Sequence, residues 1–326
     1  MKNKLENLAK KISKENNFKI AKKIYQAYYY SKESLRNIIY SGIYKEKPAV
    51  LKIYSDHRNT YEPISLKNFN KINKSKILIA PKLYKHKIIS PKSGWLIMEK
   101  LPKKVKLFKS PLNEKERKEF LELYLEYRRT FPKKPTRKLS LIENLQANEF
   151  HIFRINRWLR LANDKEVKIK NPALNPDQFI PRFEKAIKII NKEFSNRKMI
   201  WCHGHFKPKE IFKINDNLYY LTDFAHTGMY PEGYELAFIV WADYLMVSDW
   251  KLNYNKWREG VFSWMDSIEK IAKELKIKKF TPLIKASLIE RIIGTILADV
   301  CASDRPRQEK IKKINLLYNL FDDLTK

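Results

Sequence analysis

The sequence predicts an α+β fold with a small β-rich N-terminal lobe and a large, mainly helical C-terminal lobe. Before Pro102 the apolar residues fall in short runs rich in β-branched and aromatic side chains, which is typical of strands. After Pro102 they recur at intervals of three and four residues over long stretches, which is typical of amphipathic helices. We therefore expect an N-terminal lobe over residues 1–101 and a C-terminal lobe over residues 102–326.

The N-terminal lobe begins with a predicted hairpin. The run IIYSGIYKEKPAVLKIYS indicates two strands joined by a turn at Lys45–Pro48, and the run GWLIMEKL indicates a further strand that ends before Pro102. Between them the pattern predicts a helix over Ile64–Ile72. Because proline suits the first turn of a helix, Pro63 places Glu62 at the edge of that helix.

The C-terminal lobe reads as a series of amphipathic helices. Asn113 followed by Glu116 is typical of a capped helix start, and two further helices are predicted over Leu141–Ala162 and Asp177–Phe194. A strand-like segment, Met199–Tyr220, interrupts the series. Helices resume at Tyr234 and continue to the C-terminus.

The composition indicates a folded, soluble, cytoplasmic protein. Of its 326 residues, 44% are hydrophobic and 13% aromatic, which excludes a disordered chain. The N-terminus is charged and carries no signal-like apolar region, and no apolar run approaches the ~18 residues of a membrane span. The two cysteines, Cys202 and Cys301, form no CxxC pair, so we expect neither a disulfide framework nor a cysteine zinc site.

The formal net charge is +31, from 67 basic and 36 acidic residues. Most of the basic residues are lysines dispersed along the chain, which favours a solvated surface over a dedicated polyanion site. A nucleic-acid-binding protein remains the less favoured alternative. Whatever its origin, the positive field favours neutral or anionic ligands over polycationic ones.

Three neighbouring segments carry the chemistry. The segment WCHGHFKPKEIF at 201–212 is followed by LTDF at 221–224 and by PEGYELA at 231–237. These segments resemble the catalytic loop, the metal-binding motif and a later acidic motif of the aminoglycoside phosphotransferase and choline kinase family, whose fold is protein kinase-like. In that family the loop reads H-G-D-x-x-P-x-N, or close to it. Several matches in the right order are more specific than any one of them.

The resemblance implies an ATP site and a magnesium (Mg2+) site. Lys52, in the strand AVLK, would contact the phosphates of ATP, and Glu62 would pair with Lys52 from the following helix. The segment Met98, Glu99 and Lys100 resembles the hinge whose backbone holds adenine. Asp223 would be a ligand of Mg2+, a cation that prefers oxygen ligands.

Two positions depart from the family pattern. His205 stands where the family has its catalytic aspartate, and Glu210 stands where it has a metal-binding asparagine. The phosphate-covering loop near Tyr30–Leu35 also lacks glycine, which makes close approach of the backbone to phosphate harder.

These departures leave two interpretations. In the first, His205 accepts the proton of the substrate hydroxyl, Glu210 and Asp223 hold Mg2+, and the protein transfers phosphate to a small-molecule hydroxyl. In the second, the fold persists without turnover as a pseudokinase that binds nucleotide or a partner. We favour the phosphotransferase, with a neutral or anionic acceptor.

Overall fold

The computed structural model describes residues 2–28, 35–163, 174–245, 253–301, 303 and 305–326. Residues 30–34 of the predicted phosphate-covering loop lie outside this part of the chain. Two compact units are present. The first comprises Met1–Leu107, Glu126–Lys138 and Glu210–Thr227, and the second comprises Phe108–Leu125, Leu139–Lys209 and Gly228–Lys326.

The α-helices of the described residues are, in chain order, α1 (Lys2–Glu15), α2 (His57–Ile72), α3 (Glu114–Thr130), α4 (Ala147–Asn163), α5 (Pro176–Phe194), α6 (Tyr234–Val240), α7 (Tyr254–Glu274), α8 (Phe280–Gly294) and α9 (Arg307–Leu324). Short 3-10 turns cover Leu141–Asn144, Pro208–Glu210 and Phe224–His226, and wider π-helical turns cover Trp241–Leu245 and Thr295–Val300. None of these helices is long and apolar enough to cross a membrane.

The strands of the described residues are β1 (Phe18–Tyr28), β2 (Leu35–Tyr44), β3 (Lys47–Tyr54), β4 (Leu78–Ile79), β5 (Leu83–Ser90), β6 (Ser93–Glu99), β7 (Lys106–Leu107), β8 (Met199–Cys202), β9 (Ile211–Asn215), β10 (Leu218–Leu221) and β11 (Gly228–Pro231). They form a five-stranded sheet β1-β2-β3-β6-β5, a four-stranded sheet β4-β10-β9-β7 and the pair β11-β8. The first two sheets belong to the first unit.

The predicted N-terminal hairpin is present as β2 and β3. Its turn residues, Lys45 and Glu46, both adopt positive φ angles, of 47° and 64°. That left-handed geometry matches the twist of a two-residue hairpin. One face of the sheet packs under α1, where Ala9, Ile38 and Leu51 are fully buried. The α+β fold with a sheet-rich N-terminal region and a mostly helical remainder is thus confirmed.

Helix α2 begins earlier than the sequence pattern predicted. Asp56 caps it by accepting a hydrogen bond from the backbone N–H of Arg58 at 3.0 Å, so the helix starts at His57. Pro63 therefore lies inside the helix, and the expectation that Glu62 lies at its edge is wrong. Glu62 is instead held in the interior of a helix that carries it toward the sheet.

In the second unit the predicted start of α3 is confirmed. The Asn113 side chain accepts a hydrogen bond from the Glu116 N–H at 2.9 Å, and the Glu116 carboxylate accepts one from the Asn113 N–H at 3.2 Å. This reciprocal pair satisfies two backbone donors that a helix start would otherwise leave unpaired. Helix α8 is largely buried, with Leu283, Leu288 and Ile292 fully inaccessible.

Candidate functional site

Lys52 and Glu62 form a buried ion pair in the first unit. Lys52 lies within β3, opposite Ile39 of β2 and Leu96 of β6, and Glu62 lies on α2. The Lys52 Nζ is 2.5 Å from Glu62 Oε2, and the two side chains are only 8% and 4% exposed. Removing one partner would leave an uncompensated buried charge, so separating the two side chains is energetically costly.

Two further carboxylates act on Lys52. Burial lowers the pKa of Lys52, but the negative charges of Glu62, Asp223 and Glu210 together raise it above its ordinary value. Lys52 is therefore a permanently charged ammonium facing three acidic side chains. All four residues belong to the first unit, although 171 positions separate Lys52 from Asp223 in the sequence (223 − 52).

A hairpin brings Glu210 next to the residue before Asp223. Strands β9 and β10 pair with Leu221 opposite Ile211, so Thr222 follows at the position opposite Glu210. The Thr222 hydroxyl lies 3.1 Å from the Glu210 Oε2 and also 3.1 Å from the Glu210 carbonyl oxygen. The backbone N–H of Thr222 donates to the same carbonyl at 3.1 Å. Thr222 therefore fixes the main chain of Glu210 and restrains its carboxylate.

Asp223 has an unusual backbone conformation. Its φ and ψ angles are 59° and 55°, in the left-handed region, and it immediately precedes the 3-10 turn Phe224–His226. A non-glycine residue in this region is uncommon and is held there by its surroundings. The Phe224 ring provides that restraint, because it packs against Phe69 of α2 with ring centroids 5.0 Å apart. The helix that carries Glu62 thus also anchors the segment that carries Asp223.

The predicted hinge lies at the end of β6, the strand that pairs with β3. Met98 pairs with Val50 of β3. The N–H of Glu99 donates to the Lys82 carbonyl at 2.8 Å, and the N–H of Lys100 donates to the Pro48 carbonyl at 3.3 Å. The N–H groups of Glu99 and Lys100 are therefore already used inside the sheet.

Two backbone groups of this segment have no partner among the described residues. They are the carbonyl oxygen of Glu99 and the N–H of Leu101. An acceptor and a donor separated by one residue are thus presented at the end of β6. The Glu99 side chain does not block them, since its Oε1 accepts from the Tyr220 hydroxyl at 3.2 Å and its Oε2 accepts from the Lys82 N–H at 3.0 Å.

His205 belongs to the second unit. The preceding residue, Gly204, has a positive φ of 74°, and its N–H donates to the buried Glu235 carboxylate at 2.8 Å. The His205 ring packs against Phe238 of α6 with centroids 4.9 Å apart, and its Nε2 lies 3.5 Å from the Lys207 Nζ. Glu235 of the PEGYELA motif therefore holds the loop that presents His205.

The structure brings Lys52, Glu62, Glu210 and Asp223 together. It places Met98 and Glu99 at the end of the adjoining strand β6, with Lys100 directly after it. Two residues of this region, Thr222 and Leu101, were not predicted from the sequence. The turn Asp216-Asn217 between alternating apolar residues is a hairpin signal, and pairing outward from it would have placed Thr222 opposite Glu210. No sequence signal identifies Leu101, because the free N–H depends on how β6 ends.

The structure is similar to those of several small-molecule kinases. The aminoglycoside phosphotransferase APH(4)-Ia is 10% identical in sequence, with 98% of this chain and 97% of that chain covered and a TM-score of 0.57. Choline kinase LicA from Streptococcus pneumoniae is 10% identical, with 98% of each chain covered and a TM-score of 0.55. An ethanolamine kinase from Plasmodium vivax is 15% identical, with 98% of this chain and 86% of that chain covered and a TM-score of 0.57.

No protein-family model and no curated protein matches the sequence. At these low identities the likeness to solved structures bears on the fold, and at that level the resemblance inferred from the motifs is confirmed. The chain has the protein kinase-like fold that aminoglycoside phosphotransferases, choline kinase and ethanolamine kinase share.

Proposed function

We propose that this protein is an ATP- and Mg2+-dependent phosphotransferase that transfers the γ-phosphoryl group to a hydroxyl of a small molecule. The observation that carries the proposal is the cluster of Lys52 with Glu62, Glu210 and Asp223 in a kinase-like fold. Phosphoryl transfer requires positioned phosphates and neutralised charge more than it requires covalent chemistry by the protein. An immobilised ammonium beside several carboxylates meets both requirements.

The charge of this cluster fits a divalent cation. Three carboxylates and one ammonium leave a surplus of two negative charges (3 − 1 = 2) in a partly buried place. Glu210 and Asp223 are the residues that would hold Mg2+, because Glu62 is already committed to Lys52. Bound Mg2+ would neutralise charge on the phosphates of ATP. The change from the family's asparagine to Glu210 replaces a neutral amide oxygen with an anionic carboxylate oxygen, which Mg2+ also accepts as a ligand.

The end of β6 supports adenine binding. Adenine offers a donor, its exocyclic amine, next to a ring-nitrogen acceptor. The Glu99 carbonyl and the Leu101 N–H offer the complementary acceptor and donor. The hinge predicted at Met98–Lys100 would therefore act through Glu99 and extend by one residue to Leu101.

His205 would accept the proton of the acceptor hydroxyl. As that oxygen forms a bond to the γ-phosphorus, the bond from the γ-phosphorus to the bridging oxygen breaks and ADP leaves. A neutral imidazole can take the released proton near pH 7. The cationic Lys207, 3.5 Å from the His205 Nε2, favours the neutral ring by charge repulsion.

The similar structures agree with this class of reaction. A variant of APH(4)-Ia was determined in a ternary complex with ADP and hygromycin B, and APH(9)-Ia with ADP and spectinomycin. Each complex contains a nucleotide together with a second small molecule. We extend that pairing to this chain as part of the proposal.

A pseudokinase that binds nucleotide without turnover is the second candidate. The observation that favours it is the packing of the His205 ring against Phe238, which gives a larger and more restrained side chain than an aspartate at that position. The two candidates share the nucleotide site and differ only at His205.

A two-stage experiment tests the phosphotransferase and the pseudokinase candidates. The melting temperature is first measured with ATP, with and without Mg2+, for the wild type and Asp223→Asn. We expect a rise that requires both Mg2+ and Asp223, by binding linkage. No rise under any condition would refute a working nucleotide site.

The second stage measures ADP formation with hydroxyl acceptors for the wild type and His205→Gln. Acceptor-stimulated ADP formation that is lost in His205→Gln supports the phosphotransferase. Nucleotide binding without acceptor-dependent turnover would favour the pseudokinase.

A further inference from the structure

A buried cluster of charges lies between α4 and α8 in the second unit. Glu290 of α8 is fully inaccessible, and its Oε1 is 3.1 Å from the Nε of Arg154 and 3.3 Å from the Nδ1 of His151. Its Oε2 is 3.6 Å from the Nε of Arg291. Burial raises the pKa of Glu290, but the two arginines outweigh this effect and lower it to about 2. Glu290 is therefore ionised.

Several buried polar atoms of this cluster lack a hydrogen-bond partner among the described residues, including both ring nitrogens of His151 and both carboxylate oxygens of Glu290, and Arg291 carries the cationic donor among them. It is only 5% exposed, yet its Nη2 has no hydrogen-bond acceptor among the described residues. A guanidinium is a strong donor, and buried donors of this kind are nearly always paired. An unpaired, charged N–H at this depth marks a place where an acceptor belongs.

The charges of the cluster do not balance. Arg154 and Arg291 contribute two positive charges, whereas Glu290 contributes one negative charge, which leaves a surplus of one positive charge. His151 adds none near neutrality, because burial lowers its pKa despite the attraction of Glu290. Asp299 compensates only in part, since burial raises its pKa to about 7 against the pull of Arg291.

Aromatic rings surround the same guanidinium. Its central carbon lies 4.3 Å from the ring centroid of Tyr234, 4.9 Å from that of Phe238 and 5.6 Å from that of Trp241. Such rings would otherwise be suited to an ammonium ligand. Here Arg291 already occupies them. Phe238 also packs against the His205 ring, so Arg291 and the proposed base share a neighbour.

We propose that Arg291 binds an anionic group, a carboxylate or a phosphate, of the acceptor whose hydroxyl is phosphorylated. This inference rests on the proposed phosphotransferase and names its substrate class. A planar oxyanion would accept from Nη2 and offset the surplus charge. A cationic acceptor such as choline or ethanolamine would instead meet an arginine where it needs an aromatic face.

The test uses glycerate and sn-glycerol 3-phosphate as anionic hydroxyl compounds, glycerol as the neutral counterpart and choline as the cationic one. Each is titrated by calorimetry into the full-length protein saturated with Mg2+ and the unreactive ATP analogue AMP-PNP, and also into the protein alone. We expect at least one anionic compound to bind, and glycerol and choline to bind at least about 10-fold more weakly. The carboxylate and phosphate arms show which oxyanion is preferred.

Three variants locate the site. Arg291→Gln should weaken the anionic compound about 10-fold or more, and Asp299→Asn should strengthen it, because a competing carboxylate is removed. Arg307→Gln removes a positive charge from an exposed position and should leave binding unchanged. Should Arg291→Gln fail to fold, Asp299→Asn still decides the question.

The outcomes separate the two proposals. Failure of AMP-PNP to bind refutes the phosphotransferase, while the titrations without nucleotide still test the anion site. Binding of AMP-PNP together with tighter binding of choline or glycerol overturns the substrate class. The substrate class is also overturned if neither anionic compound binds to the wild type or to Asp299→Asn. In that case the Arg291 Nη2 would donate to water.

Discussion

Thr222 is the residue through which Glu210 can be tested as a metal ligand without altering either carboxylate. Its hydroxyl lies 3.1 Å from the Glu210 Oε2. Thr222→Val keeps the shape of the side chain and removes this restraint. Because groups that orient metal ligands typically contribute 10–100-fold in affinity, we expect the Mg2+ requirement of ATP binding to rise by about 10-fold.

A Mg2+ titration of the ATP-induced rise in melting temperature measures this effect. Thr222→Ser is the matched control, since it retains the hydroxyl and should remain close to the wild type. An unchanged Mg2+ midpoint in Thr222→Val would show that Glu210 does not depend on Thr222, or does not bind the metal.

Asp299 gives a pH-dependent prediction of stability. Burial raises its pKa from 3.8 to about 7, so the folded state favours the protonated acid. Below the unfolded pKa of 3.8 Asp299 is protonated in both states and costs no folding stability. As the pH rises through the folded pKa, the folded protein loses stability because it must bury an ionised carboxylate. Asp299→Asn should therefore be more stable than the wild type at pH 8, by at most about 4 kcal/mol.

Urea unfolding at pH 5, 6.5 and 8 measures this difference, which should shrink toward low pH. A constant difference across this range would show that Asp299 is already ionised at pH 5 in the folded protein, so that its pKa is not raised. Arg291 is its charged neighbour and lowers its pKa, so the effect of Asp299→Asn at pH 8 should become larger in an Arg291→Gln background if the two groups interact.

At the level of elements, Asp56 caps α2, the helix whose Glu62 pairs with the predicted phosphate-binding Lys52. Asp56 is 3% exposed; its carboxylate accepts from the Arg58 N–H and lies 2.8 Å from the Arg58 Nη2. Burial opposes ionisation of Asp56, but these bonds outweigh it and lower the pKa. Asp56→Ala should cost about 2 kcal/mol of unfolding free energy at pH 7.

The sign of the pH dependence follows from the lowered pKa. The contribution of Asp56 is present above its ordinary pKa of 3.8 and is lost as the pH falls through its folded value. The free energies of unfolding of the wild type and Asp56→Ala should therefore converge in urea unfolding as the pH falls below 3.8. Asp56→Asn keeps an acceptor for the helix N–H groups, and an equal loss in this variant would contradict the capping role.

The same helix shows where sequence reasoning falls short. The pattern after Pro63 predicted the second half of α2 correctly, but the proline was read as a boundary. A proline within the second turn removes a single N–H donor, and tertiary packing can offset that loss. Asp56 followed by a polar turn was the available start signal. The Lys52–Glu62 contact depends on this register and could be inferred only from the family resemblance.

At the level of the whole molecule, the fold was predictable and the acceptor site was not. The order of motifs along a chain indicates the order of the elements that carry them. The HGH, DF and PEGYELA segments occur in the same order and at about the same spacing as in the family that the sequence resembles. The Arg291 cluster joins residues of α4 and α8 through single contacts between distant positions. No local pattern encodes such contacts, because each residue alone reads as an ordinary member of an amphipathic helix.

The net charge of +31 bears on whether the protein binds nucleic acid. Exposed lysines occur singly or in small groups, such as Lys19 and Lys22 on β1, and Lys23 beside them is paired with Glu6 at 3.2 Å. Binding through scattered charges requires few phosphate contacts and releases few counterions. We therefore expect weak, sequence-independent binding whose affinity falls only modestly as salt rises from 50 to 200 mM.

Fluorescence anisotropy with a labelled single-stranded oligonucleotide and its duplex measures the affinity for nucleic acid. Dissociation constants weaker than about 1 μM in 150 mM salt are the expected result. Lys19→Glu/Lys22→Glu lowers the net charge by four and should reduce the low-salt binding, whereas Mg2+-ATP should not compete. Submicromolar binding at 150 mM salt that Mg2+-ATP displaces would mean that the cluster around Lys52 serves a polynucleotide, and the small-molecule acceptor would have to be abandoned.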